Sequence, residues 1–273
     1  MLSTGSYDVA RTTAGGRPGE LARLEAQAAL SFAEEFQVLR DFGFGSADPV
    51  LEVGCGPGAQ TRRLASVLPS LPIIALDTDI GLIAQAADCP SARLVGGDAS
   101  ALPVGAGRIG AVLFRYVLQH VSDPLQCLAE ARRVLRPGGQ VFVIEVDAEL
   151  WGVADPADSR LGAVHARIAS AQRAAGGDRL IGRRLSGLLR TAGFDDVAVR
   201  PFAVTSDEHP LEDFAPLLGP GRLVPLIEDG RLAITDLAIV TAGWVRFLAD
   251  PAAWVMLLGL IASARAPLAR HPR

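Results

Sequence analysis

The chain has 273 residues, of which 49% are hydrophobic, enough for one large domain with a sizeable buried core. Its formal net charge of −4 at pH 7, with no basic patch in the sequence, argues against a nucleic-acid partner. Three cysteines without C-x-x-C spacing argue against a disulfide framework and a metal site. With no signal peptide and no apolar stretch of about 20 residues to span a membrane, we expect a cytoplasmic protein.

The N-terminal region predicts an arm followed by a helix. Residues 1–18 are rich in Gly, Thr, Ser and Arg and predict a flexible arm. Apolar side chains then recur at three- and four-residue steps, at Leu21, Leu24, Ala28 and Phe32. This spacing predicts a helix over residues 19–42, which begins a single domain over residues 19–273.

Short apolar runs alternate with helical patterns over residues 49–147. The predicted strands are residues 50–53, 73–76, 92–95, 109–114 and 141–146, and the predicted helices between them are residues 59–68, 80–87 and 124–135. Asp123 and Pro124 suit the N-cap and the first position of the last helix. Apolar runs without a two-residue alternation are typical of parallel strands covered on both faces, so we expect an α/β sheet with helices on both sides.

The regular alternation of strand and helix patterns ends after residue 147. Residues 156–192 predict helices with a break at two glycines, and residues 207–250 predict short helices between prolines and glycines. Residues 196–204 and 254–261 predict two more strands. We expect these two strands to pair antiparallel, with the last one finishing the edge of the sheet.

The turn after the first predicted strand contains Gly54, Gly56 and Gly58. Glycines let the backbone turn sharply and approach a ligand, and the helix that follows offers unpaired N–H groups. The third glycine is one position early for the dinucleotide pattern G-x-G-x-x-G. The turn therefore leaves two ligands open, a dinucleotide and a ligand with a carboxylate and a sulfonium. Asp77, at the end of the next strand, suits the ribose hydroxyls of either one.

Further motifs follow the later strands: Gly97-Asp98-Ala99, the segment 115–121, and Arg136-Pro137-Gly138-Gly139. In their order and spacing, residues 20–147 resemble the class I S-adenosylmethionine-dependent methyltransferases of the small-molecule type, the UbiE-like or methyltransferase-11 group. The resemblance implies a Rossmann-like, seven-stranded, mostly parallel sheet with helices on both faces, an antiparallel last strand and a helical cap. The cofactor-binding core is then residues 49–147, and the cap and C-terminal region are residues 148–273.

The resemblance also implies which residues contact S-adenosylmethionine. The matching positions are Gln27, Glu52, Gly54, Gly56, Gly58, Asp77, Thr78, Asp98, Ala99 and Arg115. Glu52 is expected to accept hydrogen bonds from the amides of the glycine turn, and Asp98 to read the adenine amine. Arg115 is expected near the methionine end of the cofactor, or in a salt bridge that closes the sheet edge.

Two residues are candidates for catalysis. His120 follows the fourth strand, where open α/β sheets bind their ligands, and an imidazole can act as a general base. It could equally be a structural histidine. Glu145 ends the fifth strand and could orient or deprotonate an acceptor, or cap the strand. His165 and His209 in the cap are more typical of surface residues.

These features predict methyl transfer to an O, N or C atom of a small molecule, in specialised natural-product metabolism. Apolar residues of the cap region either form a lid that suits an apolar or aromatic acceptor or belong to helices that pack on the core: Trp151, Phe202, Phe214, Leu217, Leu218 and Trp244. We expect a monomer or a homodimer. The alternatives are a cyclase or isomerase that uses the sulfonium as a fixed charge, an NAD-dependent dehydrogenase, and a scaffold protein that binds no cofactor.

Overall fold

A computed structural model of the chain describes residues 7, 14–46 and 49–268. In this part of the chain seven strands form one sheet in the order β3-β2-β1-β4-β5-β7-β6. The strands are β1 (Val50–Val53), β2 (Ile73–Asp77), β3 (Ala92–Gly96), β4 (Ile109–Arg115), β5 (Leu135–Asp155), β6 (Asp195–Thr205) and β7 (Trp254–Arg265). β1 to β5 pair in parallel, and β7 is antiparallel to both of its neighbours. The predicted fold is confirmed.

One expectation about the sheet is wrong. β7 does not lie at the edge but between β5 and β6, and β6 is the edge strand. The side-chain pattern gives the reason, because residues 261–264 of β7 are buried in succession whereas residues 195–201 of β6 are mostly exposed. An inner strand must be covered on both faces, while an edge strand tolerates polar and exposed side chains.

Helices flank both faces of the sheet. They are α1 (Gly16–Asp41), α2 (Ala59–Val67), α3 (Ile80–Ile83), α4 (Pro124–Val134), α5 (Ser159–Ala174), α6 (Leu185–Thr191), α7 (Ala215–Leu218), α8 (Val224–Glu228) and α9 (Ile234–Ala249). Short 3-10 turns join some of them, at Ala84–Ala86, Ile181–Arg184, Leu211–Phe214 and Pro220–Arg222. The Asp123 carboxylate accepts a hydrogen bond from the Gln126 amide at 3.0 Å, which caps α4 as predicted. No helix in these ranges is long and apolar enough to cross a bilayer.

The N-terminal arm was predicted to extend to residue 18, but α1 already begins at Gly16. Residues 1–6 and 8–13 of the predicted arm lie outside the described residues.

The hydrophobic core has two layers, one on each face of the sheet. On β4, Val112 and Phe114 face a layer that includes α4 and α6, while Ala111 and Leu113 face a layer that includes α1. All four side chains are buried. Of the apolar residues that could form a lid or pack on the core, Phe202, Phe214 and Leu217 belong to the second layer of this core.

β5 is longer than predicted. It runs from Leu135 to Asp155, whereas the apolar run ends at residue 146. The extension pairs with β7, with Trp151 opposite Leu257 and Asp155 opposite Trp254. A ladder of backbone hydrogen bonds to a strand far along the chain therefore holds residues that, alone, have no strand pattern.

Candidate active site

A cavity of about 560 Å³ lies at the carboxyl ends of β1, β2 and β4. Its walls come from the glycine turn after β1, the end of β2, the segment after β4, one face of α1, the extension of β5 and the cap. Most of the sequence-predicted residues line it: Gln27, Glu52, Gly54, Gly56, Asp77, Thr78, Asp98, Ala99, Arg115 and His120. Gly58 and Glu145 are not among the described residues that line it.

The three glycines of the turn have positive φ angles but different surroundings. A Cβ on Gly54 would lie 2.3 Å from Cγ2 of Val117, and one on Gly58 would lie 2.4 Å from Cβ of Ala86. Both glycines therefore let neighbouring segments pack closely. No described atom lies within 4 Å of a Cβ built on Gly56. Gly56 therefore leaves open space inside the cavity, as a ligand held by bare backbone requires.

Asp77 holds this turn in place. Its Oδ2 accepts a hydrogen bond from the Gly56 amide at 2.8 Å, and its Oδ1 accepts one from the Asp79 amide at 2.9 Å. Burial raises the pKa of the carboxyl, although these amides oppose the shift. Asp98 lies across the cavity, where its Oδ1 accepts hydrogen bonds from the amide and the hydroxyl of Ser100 at 2.8 and 2.7 Å.

Glu52 does not make the predicted hydrogen bonds. It accepts one from the Thr61 hydroxyl at 2.7 Å, so it joins β1 to α2, and Asp77 binds the Gly56 amide in its place. The side chain is only 2% exposed, and burial raises its pKa to about 7.

Arg115 makes a buried ion pair with α1 and does not close the sheet edge. Its Nε and Nη2 donate to the two carboxylate oxygens of Glu35 at 2.7 and 3.0 Å. Oε1 of Glu35 also accepts hydrogen bonds from the hydroxyls of Ser31 and Tyr116 at 2.7 and 2.9 Å. The guanidinium thus fixes α1 against the end of β4 beside the cavity.

His120 lies between polar and aromatic neighbours. Its Nδ1 is 3.3 Å from Nε2 of Gln172, and its ring centroid is 5.1 Å from that of Tyr7. Desolvation, and then the positive charges of Arg179, Arg23 and Arg222, lower its pKa to about 3. The imidazole is therefore neutral at pH 7.

Glu145 lies behind the segment that carries His120. Its Oε1 accepts a hydrogen bond from the Gln119 amide at 3.2 Å, and its Oε2 has no partner among the described residues. The side chain is fully buried, and this burial raises its pKa to about 8. Of the cap histidines, His209 is 3.9 Å from Glu34 and does not line the cavity. The side chain of His165 is outside the described part.

The cavity is also lined by polar and charged residues that sequence reasoning missed, among them Tyr7, Gln60, Arg23, Arg179 and Arg222. Gln60 follows the glycine turn directly and is 4% exposed, yet neither atom of its amide has a partner in the described part of the chain. Its place at the start of α2 was a usable signal. The arginines come from three distant parts of the chain, and no motif links them.

Comparison with known proteins identifies the family. Residues 51–143 match the family model described as a methyltransferase domain. A crystal structure of a Thermotoga maritima S-adenosylmethionine-dependent methyltransferase, a possible histamine N-methyltransferase, has the same fold. Its TM-score is 0.55 at 17% identity, over 90% of this chain and 94% of that one. Residues 51–143 thus form a class I S-adenosylmethionine-dependent methyltransferase domain. The cofactor of this family is S-adenosylmethionine, and the glycine turn is the candidate site for its adenosyl group.

Two curated relatives match this chain only in part. Demethylmenaquinone methyltransferase of Renibacterium salmoninarum is 33% identical over 104 residues, which are 38% of this chain and 43% of the relative. An uncharacterized 37.1 kDa protein in transposon Tn4556 of Streptomyces fradiae is 34% identical over 191 residues, 67% of this chain and 54% of the relative. The chain thus spans about half the length of the curated relatives that it matches.

The cavity fits the cofactor of the family. The open space at Gly56 admits a ligand against bare backbone, and the Asp77 carboxylate lies beside that space. The unpartnered Gln60 amide supplies both a donor and an acceptor for a polar group in the same cavity.

Proposed function

We propose that the protein transfers a methyl group from S-adenosylmethionine to an O, N or C atom of a small-molecule acceptor. One observation carries the proposal: the glycine turn with Asp77 and the residues around His120 and Trp151 line the same cavity. An acceptor bound against the second group would meet the cofactor directly. The arrangement thus supports transfer by proximity and orientation.

The cofactor supplies a methyl group on a sulfonium, which leaves as a neutral thioether. The protein therefore has to hold and orient its ligands more than to activate them. In this proposal Asp77 accepts hydrogen bonds from the ribose hydroxyls, and the Gln60 amide binds the amino-acid end. The open backbone at Gly56 lets the ligand approach.

We assign to His120 a role in orienting the acceptor, because it lines the cavity and its neutral imidazole can accept a hydrogen bond. Its pKa of about 3 makes it too weak a base to take up the acceptor's proton at pH 7. Glu145 has a positioning role in this proposal. Its carboxyl binds the amide of Gln119, directly before His120, and does not itself line the cavity.

A cyclisation or isomerisation with the same cofactor is the alternative reaction, and the mass of the product separates the two. Methyl transfer adds one methylene equivalent to the acceptor and releases S-adenosylhomocysteine. Trp151 and Tyr116 meet edge to face with ring centroids 6.3 Å apart, which supports an apolar or aromatic body for the acceptor. Specialised metabolism, a cytoplasmic location and a monomeric or homodimeric state stay predictions.

The proposal is tested by calorimetric titration with S-adenosylhomocysteine and with NAD. We expect the protein to bind the first and not the second. Asp77→Asn should weaken S-adenosylhomocysteine binding by about 1–3 kcal/mol, because a charge-assisted hydrogen bond is lost.

Asp195→Asn, at an exposed position of the edge strand β6, is the matched control and should bind with the affinity of the wild type. Unchanged affinity in Asp77→Asn would remove the ribose role of Asp77. Binding of NAD in place of S-adenosylhomocysteine would refute the proposed function.

A further inference from the structure

Three arginines from separate elements line the cavity on the side of His120. Arg23 is on α1, Arg179 lies between α5 and the turn Ile181–Arg184, and Arg222 ends the turn Pro220–Arg222. The glycine turn is formed by a different part of the chain. The arginines thus belong to the region that the proposed function gives to the acceptor.

Contacts through intervening side chains link two of these arginines to His120. Gln172 approaches Nδ1 of His120 at 3.3 Å and accepts a hydrogen bond from Nη1 of Arg179 at 3.3 Å. On the other side, the Tyr7 ring packs on His120, and its hydroxyl donates to Glu20 at 2.8 Å. Glu20 in turn binds Nε and Nη2 of Arg23.

The positive charge of the cluster exceeds the negative charge near it. Glu20 offsets Arg23, with contacts of 2.8 and 2.6 Å. Among the described residues no carboxylate lies within ion-pair distance of Arg179 or Arg222. Glu145 attracts Arg179, but burial raises its pKa to about 8, so most of it is protonated at pH 7.

Arg179 and Arg222 nevertheless stay charged at pH 7. Burial, and then the charge of Arg23, lower the pKa of Arg179 to about 10. Burial, and then the charges of Arg23 and Arg179, lower the pKa of Arg222 to about 9. Two like charges that line one cavity repel each other, and their partial burial leaves them less solvated than on an open surface. An anionic ligand would relieve both costs.

We infer that the acceptor carries an oxyanion group, a carboxylate or a phosphate, that binds between Arg179 and Arg222. This inference rests on the proposed function and names the class of acceptor. The planar guanidinium matches the geometry of both groups and binds either one through paired hydrogen bonds. Trp151 and Tyr116 line the same cavity, so the acceptor joins an apolar or aromatic body to a charged head.

Three small probes of similar shape test the inference on the full chain loaded with S-adenosylhomocysteine. Benzoate, phenyl phosphate and benzamide share the aromatic ring, and only the first two are anions at pH 7. Titration calorimetry or ligand-observed NMR gives their affinities. We expect at least one anion to bind about tenfold or more tightly than benzamide, because benzamide cannot offset the arginine charges. The tighter of the two anions identifies the head group.

Variants show which residues make the difference. In Arg179→Met and Arg222→Met the preference for the anion over benzamide should fall to about threefold or less, while the affinity for S-adenosylhomocysteine stays within about twofold. Arg190→Met, at an exposed position of α6, is the matched control and should keep the full preference.

Several results would overturn the inference. Equal binding of benzoate, phenyl phosphate and benzamide by the wild type would do so, as would the absence of any anion binding. This comparison needs no variant, so it decides the matter even if a variant fails to fold. Weaker S-adenosylhomocysteine binding in the arginine variants would also overturn it, because the arginines would then hold the amino-acid end of the cofactor. If the wild type bound no S-adenosylhomocysteine, the proposed function would itself fail.

Discussion

Gly54 and Gly56 show how two glycines of one turn meet different demands. Gly54 has no room for a side chain, because Val117 packs against it. Gly56 has room on the protein side, and its φ of 53° is the only backbone obstacle to a larger residue. If a ligand fills the space at Gly56, a methyl group there should weaken ligand binding more than it lowers the free energy of unfolding.

We therefore expect Gly56→Ala to lose about 1–2 kcal/mol of unfolding free energy from its left-handed backbone, and to lose most S-adenosylhomocysteine binding. Gly107→Ala is the control, since Gly107 has a φ of 67°, equally open surroundings and no place in the cavity wall. It should lose similar stability and bind normally. Urea unfolding and calorimetry measure the two effects, and normal binding by Gly56→Ala would contradict the role given to Gly56.

For single residues, the sequence predicts those site positions that are set by neighbouring parts of the chain. The glycines and Asp77 follow from the spacing within consecutive strands and turns, and they line the cavity or shape it. The partner of Arg115 does not follow from spacing, because Glu35 lies 80 residues earlier in the chain. Only the packing of α1 on the sheet brings these two residues together.

Two ion pairs join α1 to the sheet, and they differ in burial. The pair of Arg115 on β4 and Glu35 is buried, with side chains 9% and 0% exposed. The pair of Arg200 on β6 and Asp41 is open to solvent, with side chains 53% and 54% exposed. Burial decides how much unfolding free energy is lost when one partner is removed, because water cannot solvate a buried charge that has lost its counter-charge.

Glu35→Ala should therefore lower the free energy of unfolding by about 3–5 kcal/mol, since it leaves the Arg115 guanidinium buried without its counter-charge. Asp41→Ala breaks the exposed pair of the same helix and should cost about 0–1 kcal/mol. Urea denaturation of both variants checks the contrast. Equal and small losses would mean that solvent reaches Arg115 in the folded protein.

Element bounds are predictable where the chain itself signals them. β1 begins and ends at the predicted residues, because the glycine turn follows it immediately. The extension of β5 was missed, because residues 147–155 lack a strand pattern and depend on pairing with β7. The order of β6 and β7 was missed for a similar reason, since both strands have apolar residues and only their relative exposure sets the edge.

For the molecule as a whole, buried titratable groups set how stability depends on pH. Burial raises the pKa of Glu145 to about 8 and that of Glu52 to about 7, so the folded state keeps protons that the unfolded state has lost. This stability is complete below the unfolded value of 4.5 and disappears as pH rises through the folded values. His120 acts oppositely, because its lowered pKa costs stability only when pH falls below 6.5.

Above pH 6.5 the carboxyl groups therefore act alone, and we expect the free energy of unfolding to fall as pH rises to about 8. Each group that titrates contributes a slope of about 1.4 kcal/mol per pH unit. Glu145→Gln mimics the protonated form, so it should make the total fall in unfolding free energy smaller by about 1–2 kcal/mol. Urea unfolding at several pH values measures the slope. The exposed carboxylate variant Glu212→Gln is the control. A slope in Glu145→Gln equal to that of the wild type would show that Glu145 is already ionised in the folded protein.

The pairing of β5 with β7 beyond residue 146 limits how the protein could change to accept other acceptor molecules. Trp151 lies on the part of β5 that pairs with β7, where β7 is also paired with β6, and it lines the cavity. We therefore expect this strand to keep its backbone position when a bulkier molecule binds. Selection, or an engineer, would have to resize individual side chains along it, and such changes would leave the adenosyl half of the pocket untouched.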